Sequence, residues 1–298
     1  MEYNHDAHMH FTGPRPIIGH TIIDPIETYI NYFEDCNIKT AFMVFDDTER
    51  FEDFRKECKI SCPKTDVYGF YWIHDFNDCN IPDIADGLKT EAYIDKTDIS
   101  QIRPILDSDT KKRPVYIHCG EQYRNLAKPS MIQDLADDYE DIKFIIGHSG
   151  AYAPPINEIY LRNYNISDYV NSAISVAQNY DNVHLESSIL NNADKQKALI
   201  DALLNRITDP YTLEIAKSDK NHILNKLHLG TDYPLSIGDV LYDVKDHITI
   251  PKEIWSYQPT ILDQKNILRE GLTNKVGLNI ADEMIAHIDQ NTADFFGT

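Results

Sequence analysis

The sequence predicts an α/β protein, a single-domain and somewhat distorted (β/α)8 TIM barrel over residues 1–298. Three observations predict it. Short β-prone apolar runs alternate with amphipathic helical stretches, the pattern of parallel β/α architecture. Eight such runs occur, which favours a closed barrel over an open sheet. An open nucleotide-binding sheet would carry a Gly-rich phosphate loop after its first strand, and that place holds His8-Met9-His10-Phe11-Thr12-Gly13-Pro14.

The strand runs, in order, are Tyr3 to His10, Lys39 to Phe45, Val67 to Ile73, the weaker Leu88 to Ile94, Val115 to His118, Ile142 to His148, Val183 to Ser187, and Leu227 to Thr231. Nearly continuous apolar runs suit strands buried on both faces. Between them, Pro25 to Cys36 is the clearest helix. Asp24 can N-cap it, Pro25 suits the first helical position, and Ile26, Tyr29, Ile30 and Phe33 share a face. Met131, Ile132, Leu135 and Ala136 form a second stripe, and Ile280, Met284, Ile285 and Ile288 a third. No repeat, low-complexity segment or Pro/Gly/Ser-rich linker divides the chain.

Composition excludes several classes. Acidic residues outnumber basic ones 48 to 28, and a phosphate-binding surface needs the reverse, so nucleic acid is not an expected partner. The excess acid reads as a solvated outer surface. No stretch approaches the roughly 18 apolar residues of a membrane span. The first residues lack the basic-then-apolar pattern of a secretory leader. Five cysteines are an odd number for a disulfide framework. A reduced, cytoplasmic setting is expected.

The chemistry gathers where the apolar runs end. His8 and His10 are two apart on one strand, so both can face the barrel mouth. Imidazoles there suit zinc, iron, nickel or manganese, although a lone His-x-His also fits polar residues tolerated near a terminus. His118 ends the fifth run; standing alone it would read as a hydrogen-bonded core histidine. His148 follows about one βαβ repeat later, between glycines that permit a sharp turn. Asp232 ends the eighth run, where a lone Asp is usually a turn residue. As a set at strand ends, the five predict a metal site.

The chain resembles the amidohydrolase superfamily of metal-dependent barrels. It is most similar to the branch of compact hydrolases related to aminocarboxymuconate-semialdehyde decarboxylase (the amidohydrolase-2 branch). The likeness runs from Asp6-Ala7-His8-Met9-His10 to Asn291-Thr292-Ala293-Asp294-Phe295-Phe296-Gly297, which is similar to that branch's closing Asn-x-x-x-x-Phe-Gly. The resemblance implies one divalent metal on His8, His10, His118 and Asp232, with His148 as the catalytic histidine. Zinc leads, and manganese, iron and nickel stay open. Gly87-Leu88-Lys89-Thr90-Glu91 resembles the branch's Gly-x-Lys-x-His strand, with Glu91 in place of the last His. TatD-like relatives place a bridging carboxylate near this strand. Glu91 is therefore open as a bridge to a second metal, with His118 and His148, or as a substrate-facing group paired with Lys89. Lys89 is open as a substrate-binding group or as a carbamylated bridge.

Arg15 and Arg124 follow the first and fifth runs. Each could grip a substrate carboxylate or sit in a surface ion pair. His20, His74 and Asp75 read as loop polar groups, Trp255 and Tyr257 as lid or packing residues, and Cys119 as a packed thiol pointing away from His118. The expected function is metal-assisted hydrolysis of a small amide, ester or lactone, with His148 or Asp232 moving the proton. Non-oxidative decarboxylation of an aromatic or dienoic acid is the alternative, and a ligand-binding barrel without turnover the third reading. A small molecule is the expected partner; a homodimer is open, since barrels of this kind often pair.

Overall fold

The structure is a computed structural model that describes residues 3–11, 15–17, 20–22, 26–92, 97–119, 126–151, 165–188, 190, 192–232 and 260–297. Strand β1 runs Asn4–Phe11. Strands β2 (Arg15–Ile17) and β3 (His20–Ile22) form a small antiparallel hairpin beyond it. The other strands are β4 (Ile38–Phe45), β5 (Asp66–Ile73), β6 (Gly87–Thr90), β7 (Val115–Ile117), β8 (Phe144–Ile146), β9 (Val183–Ser187) and β10 (Leu227–Leu229). Apart from the hairpin they make one eight-stranded sheet in the order β1-β4-β5-β6-β7-β8-β9-β10, parallel throughout. Each of the eight apolar runs in the sequence supplies one strand of this (β/α)8 barrel.

The ends of four runs fall earlier than the sequence suggests, for a conformational reason in two of them; β7 stops at Ile117, one residue before His118. Strand β8 stops at Ile146 because His148 and Ser149 take left-handed φ values of 53° and 51°, which no strand can contain. Strand β10 stops at Leu229, and Asp232 beyond it has φ 63°. Strand β6 stops at Thr90, one residue before Glu91.

The first and last strands close the barrel without a regular ladder. The backbone N–H groups of Thr231 and Asp232 both donate to His8 O, at 3.3 and 2.8 Å. Asp6 supplies the rest of the seam. Its carboxylate accepts from Thr231 N at 3.1 Å, Thr231 Oγ1 at 2.7 Å, Tyr32 Oη at 2.8 Å and His8 N at 3.2 Å. Strand β1 also bulges here: Asp6 pairs with Ala41 and Met9 with Met43, so β1 spends one extra residue across this step.

Alternation along the strands makes two cores. Outward residues such as Met9, Phe11, Met43, Leu88, Val115, Ile146 and Leu229 pack under the helices. Helix Ile26–Asp35 lays Tyr29 and Phe33 on this layer, as its periodicity predicts, and helix Leu278–Asp294 buries Met284 and Ile288. The predicted caps Asp24 and Pro25 lie outside the described residues. Phe11 stacks on Phe54 of helix Thr48–Ser61 at 4.5 Å between centroids. The inward core is aromatic at its base. Phe42 and Phe70 meet Phe295 and Phe296, with Phe296 stacked on Tyr68 at 4.1 Å. Gly87 is required there, since a Cβ would sit 2.5 Å from the Phe70 ring. No helix among the described residues is long and apolar enough to cross a membrane.

Candidate active site

Above the aromatic base the inward positions turn polar. This happens at the C-terminal ends of the strands, where barrels of this kind carry their sites. The bulge in β1 leaves His8 and His10 on the inner face, and both are buried. Their Nε2 atoms lie 3.0 Å apart. Asp232 Oδ1 lies 3.0 Å from His10 Nε2 and 3.5 Å from His8 Nε2. Three donors thus converge on one point. His118, just past β7, lies beside them with its Nδ1 2.7 Å from Glu91 Oε1 and 3.3 Å from His148 Nε2. His148 meets His8 at 5.1 Å between ring centroids. Sequence reasoning therefore names residues that the fold gathers. His8, His10 and Asp232 form one compact triad, and His118, His148 and Glu91 form an adjoining row.

Lys89 also points inward and is fully buried. Its Nζ lies 3.9 Å from Glu91 Oε1 and over the faces of Tyr116 and Trp72, at 4.8 and 5.6 Å. Burial alone would push the Glu91 carboxyl up, but Lys89 and His118 outweigh it and hold Glu91 well below the usual carboxylate range. Cys119 is a buried thiol, as expected. Arg15 heads β2, but its side chain, like that of His20, lies outside the described residues, as do Arg124, Trp255 and Tyr257.

Burial dominates the titration of the centre. It pushes His8 down to about 4 even with Asp232 and Glu186 beside it. It holds His148 well below the ordinary imidazole value, and a proton there would also sit against the neighbouring His118, His8, Lys195 and Lys89. It raises Asp232. Both histidines are therefore neutral at pH 7, with lone pairs to offer. His148 and Asp232 also carry left-handed backbone. Such non-glycine strain costs on the order of 1–3 kcal/mol each and collects at functional positions.

Several further groups at the site are not among those that the sequence singles out. Glu186, buried on β9, accepts from Tyr116 Oη at 2.6 Å and from the His148 backbone N–H at 3.0 Å. Ser188 Oγ lies 2.7 Å from His148 Nδ1. Lys195 Nζ donates to Ser188 O at 2.5 Å, and burial pushes its ammonium down to about 8. A signal was present: in Val183-His184-Leu185-Glu186 the polar residues alternate with apolar ones, so both polar side chains face inward.

The donor set fits a divalent ion. Zinc sits about 2.0–2.2 Å from imidazole nitrogen and carboxylate oxygen, which places tetrahedral donors about 3.4 Å apart. The triad's separations of 3.0 to 3.5 Å match that spacing. Asp232 Oδ2 is buried without a hydrogen-bond partner among the described residues. A second grouping, His8, His148 and Glu186, also brings one donor atom from each residue into mutual reach. His118 belongs to neither grouping.

The amidohydrolase family model matches residues 110–264. No curated protein sequence matches the chain. Among solved structures, the chain is similar to a β-aspartyl dipeptidase from Fervidobacterium islandicum AW-1 in complex with a β-Asp-Leu dipeptide (12% identity, 98% of this chain and 72% of that one, TM-score 0.56). It is also similar to a probable 2-pyrone-4,6-dicarboxylic acid hydrolase from Acinetobacter baumannii (14%, 100% and 100%, 0.48). A third is 5-carboxyvanillate decarboxylase from Novosphingobium aromaticivorans (10%, 88% and 95%, 0.45). Identities this low speak to fold alone. The matched segment spans more than half of the chain and includes His118, His148 and Asp232, and on it the chain belongs to the amidohydrolase family.

Proposed function

We propose that the chain is a metal-dependent hydrolase of a small organic amide, ester or lactone, working at the C-terminal mouth of its barrel. The observation that carries this reading is the convergence of His8 Nε2, His10 Nε2 and Asp232 Oδ1 within 3.5 Å of one another in a buried setting. These three would hold the ion, zinc before manganese, iron or nickel; the family resemblance adds His118, which lies on Glu91 and His148 outside both donor groupings. A bound divalent ion supplies an activated water at neutral pH and polarises a scissile carbonyl. His148 is the proton acceptor: burial keeps it neutral, and Ser188 at its Nδ1 fixes the ring so that Nε2 faces the His118 side of the site. Asp232, with its carboxyl raised by burial, can hold the proton before it passes to the leaving group.

A second reading, non-oxidative decarboxylation of an aromatic or dienoic acid, is favoured by one observation. Lys89 presents a fully buried ammonium with no hydrogen-bond partner among the described residues, a ready anchor for a substrate carboxylate. Release of carbon dioxide from a panel of such acids would select it.

The deciding experiment is elemental analysis of protein purified without chelator, on wild type and on His118→Ala and Asp232→Ala. The expected result is about one ion per wild-type chain, with loss of both metal and ester, lactone or amide hydrolysis in the variants. Two ions per chain would make Glu91 or Lys89 a bridge. Retention of metal and activity in both variants would sink the proposal, as would failure of wild type to take up zinc or manganese.

A further inference from the structure

We infer that Tyr116 and Glu186 form a positioning relay that fixes the ring of His8, and that the same carboxylate fixes the backbone of His148. The inference rests on the metal reading above and adds residues to it.

The argument begins with His8. To offer the Nε2 lone pair toward His10 and Asp232, the ring must carry its proton on Nδ1, and that N–H needs an acceptor in a buried site. Glu186 Oε2 lies 3.5 Å from His8 Nδ1, too far for a good hydrogen bond. Tyr116 Oη lies between them, 2.8 Å from His8 Nδ1 and 2.6 Å from Glu186 Oε2. The ionised carboxylate can only accept, so the phenol donates to Glu186 and its lone pair is left to accept from His8 Nδ1–H. The directions are consistent along the whole chain and select the tautomer that binds metal.

Glu186 does a second thing with the same oxygen. Oε2 accepts the backbone N–H of His148, whose φ is 53°. One carboxylate therefore sets both a metal ligand on β1 and the proton acceptor after β8. Its seat is tight: a Cβ on Gly230 would lie 2.5 Å from Glu186 Oε1 and 2.7 Å from His8 Cβ.

The test uses Tyr116→Phe, which removes one oxygen and keeps the packed ring, and Glu186→Gln, which removes the charge. Zn²⁺ affinity of the full chain is measured by competition with a chromophoric chelator, and the Co²⁺-loaded protein is examined by visible absorption. Circular dichroism reports folding. The expected result is a loss of about 10–100-fold in Zn²⁺ affinity for each variant, with a shifted Co²⁺ band. The double variant should lose little more than the worse single, because the groups act in series. A merely structural role would lower thermal stability and leave both metal readouts unchanged, which overturns the relay. A loss in Glu186→Gln with none in Tyr116→Phe also overturns it, because the carboxylate would then be a direct ligand in the His8, His148, Glu186 grouping. If Glu186→Gln does not fold, Tyr116→Phe decides alone. A wild type that binds no Zn²⁺ would sink the metal reading together with the relay, whereas binding by wild type and equally by both variants removes the relay alone.

Discussion

Gly230 stands between β10 and the bend at Asp232, and nothing larger fits. An added Cβ would meet Glu186, the His8 side chain and the His8 backbone, all within 2.8 Å. Two of these contacts are rigid. Gly230→Ala is therefore expected to cost about 1–3 kcal/mol by overpacking and to weaken Zn²⁺ binding by moving His8. Urea denaturation and the chelator competition would measure both effects; an unchanged midpoint with full affinity would show that the seat is loose. At this scale the site was partly legible. His8, His10, His118, His148 and Asp232 stand out because each interrupts or ends an apolar run. Glu186, Tyr116 and Asp6 did not, because each lies inside a strand, where a single polar residue is hidden unless the inward parity is followed. Their roles come from contacts between strands far apart in sequence, which no local pattern encodes.

Among the elements, the β1–β10 seam is the informative one. Neighbouring strands elsewhere share ladders, but here closure depends on His8 O and the Asp6 carboxylate. Asp6→Ala would remove the acceptor of Tyr32 Oη and the nearer of the two acceptors of Thr231, whose N–H and Oγ1 keep His8 O at 3.3 Å, in a buried setting. A loss on the order of 3 kcal/mol is expected, since each buried group left unsatisfied costs about 1–3 kcal/mol. Asp6→Asn, which keeps an acceptor, should lose less. Equal denaturant midpoints for Asp6→Ala and wild type would show that the seam is held elsewhere. The existence and order of the eight strands were readable from hydrophobic runs, because burial on both faces leaves a strong signal. Their ends were not, since φ reversals at His148 and Asp232 depend on the site. The β2–β3 hairpin was missed as well, its three-residue strands being too short for periodicity to register.

Among the described residues, the barrel interior is polar and charged in its upper part and aromatic in its lower part. Two neutral histidines mark the change. His228 Nε2 lies 3.1 Å from His184 Nδ1, and both rings pack edge-on to Phe295. Burial pushes His228 down to about 3 and holds His184 well below the ordinary value. The unfolded chain protonates both below about pH 6.5 while the native state does not. Stability is therefore fully present above that pH and falls as pH drops below it, by up to about 1.4 kcal/mol per unit for each histidine, the His228 share continuing down to about pH 3. His228→Gln should flatten the dependence measured between pH 5 and 6.5; the same slope in variant and wild type would refute this account. The aromatic pair that seals the lower interior has one more consequence, for the timing of synthesis. Phe295 and Phe296 pack on Phe42, Tyr68 and Phe70, residues made more than two hundred positions earlier. A nascent chain can assemble most of its strands on the ribosome, yet its base stays open to water until these two rings emerge. Sealing of the base therefore comes after all eight strands have been made, and a ribosome stalled before residue 295 releases an unplugged barrel for chaperones and proteases to meet.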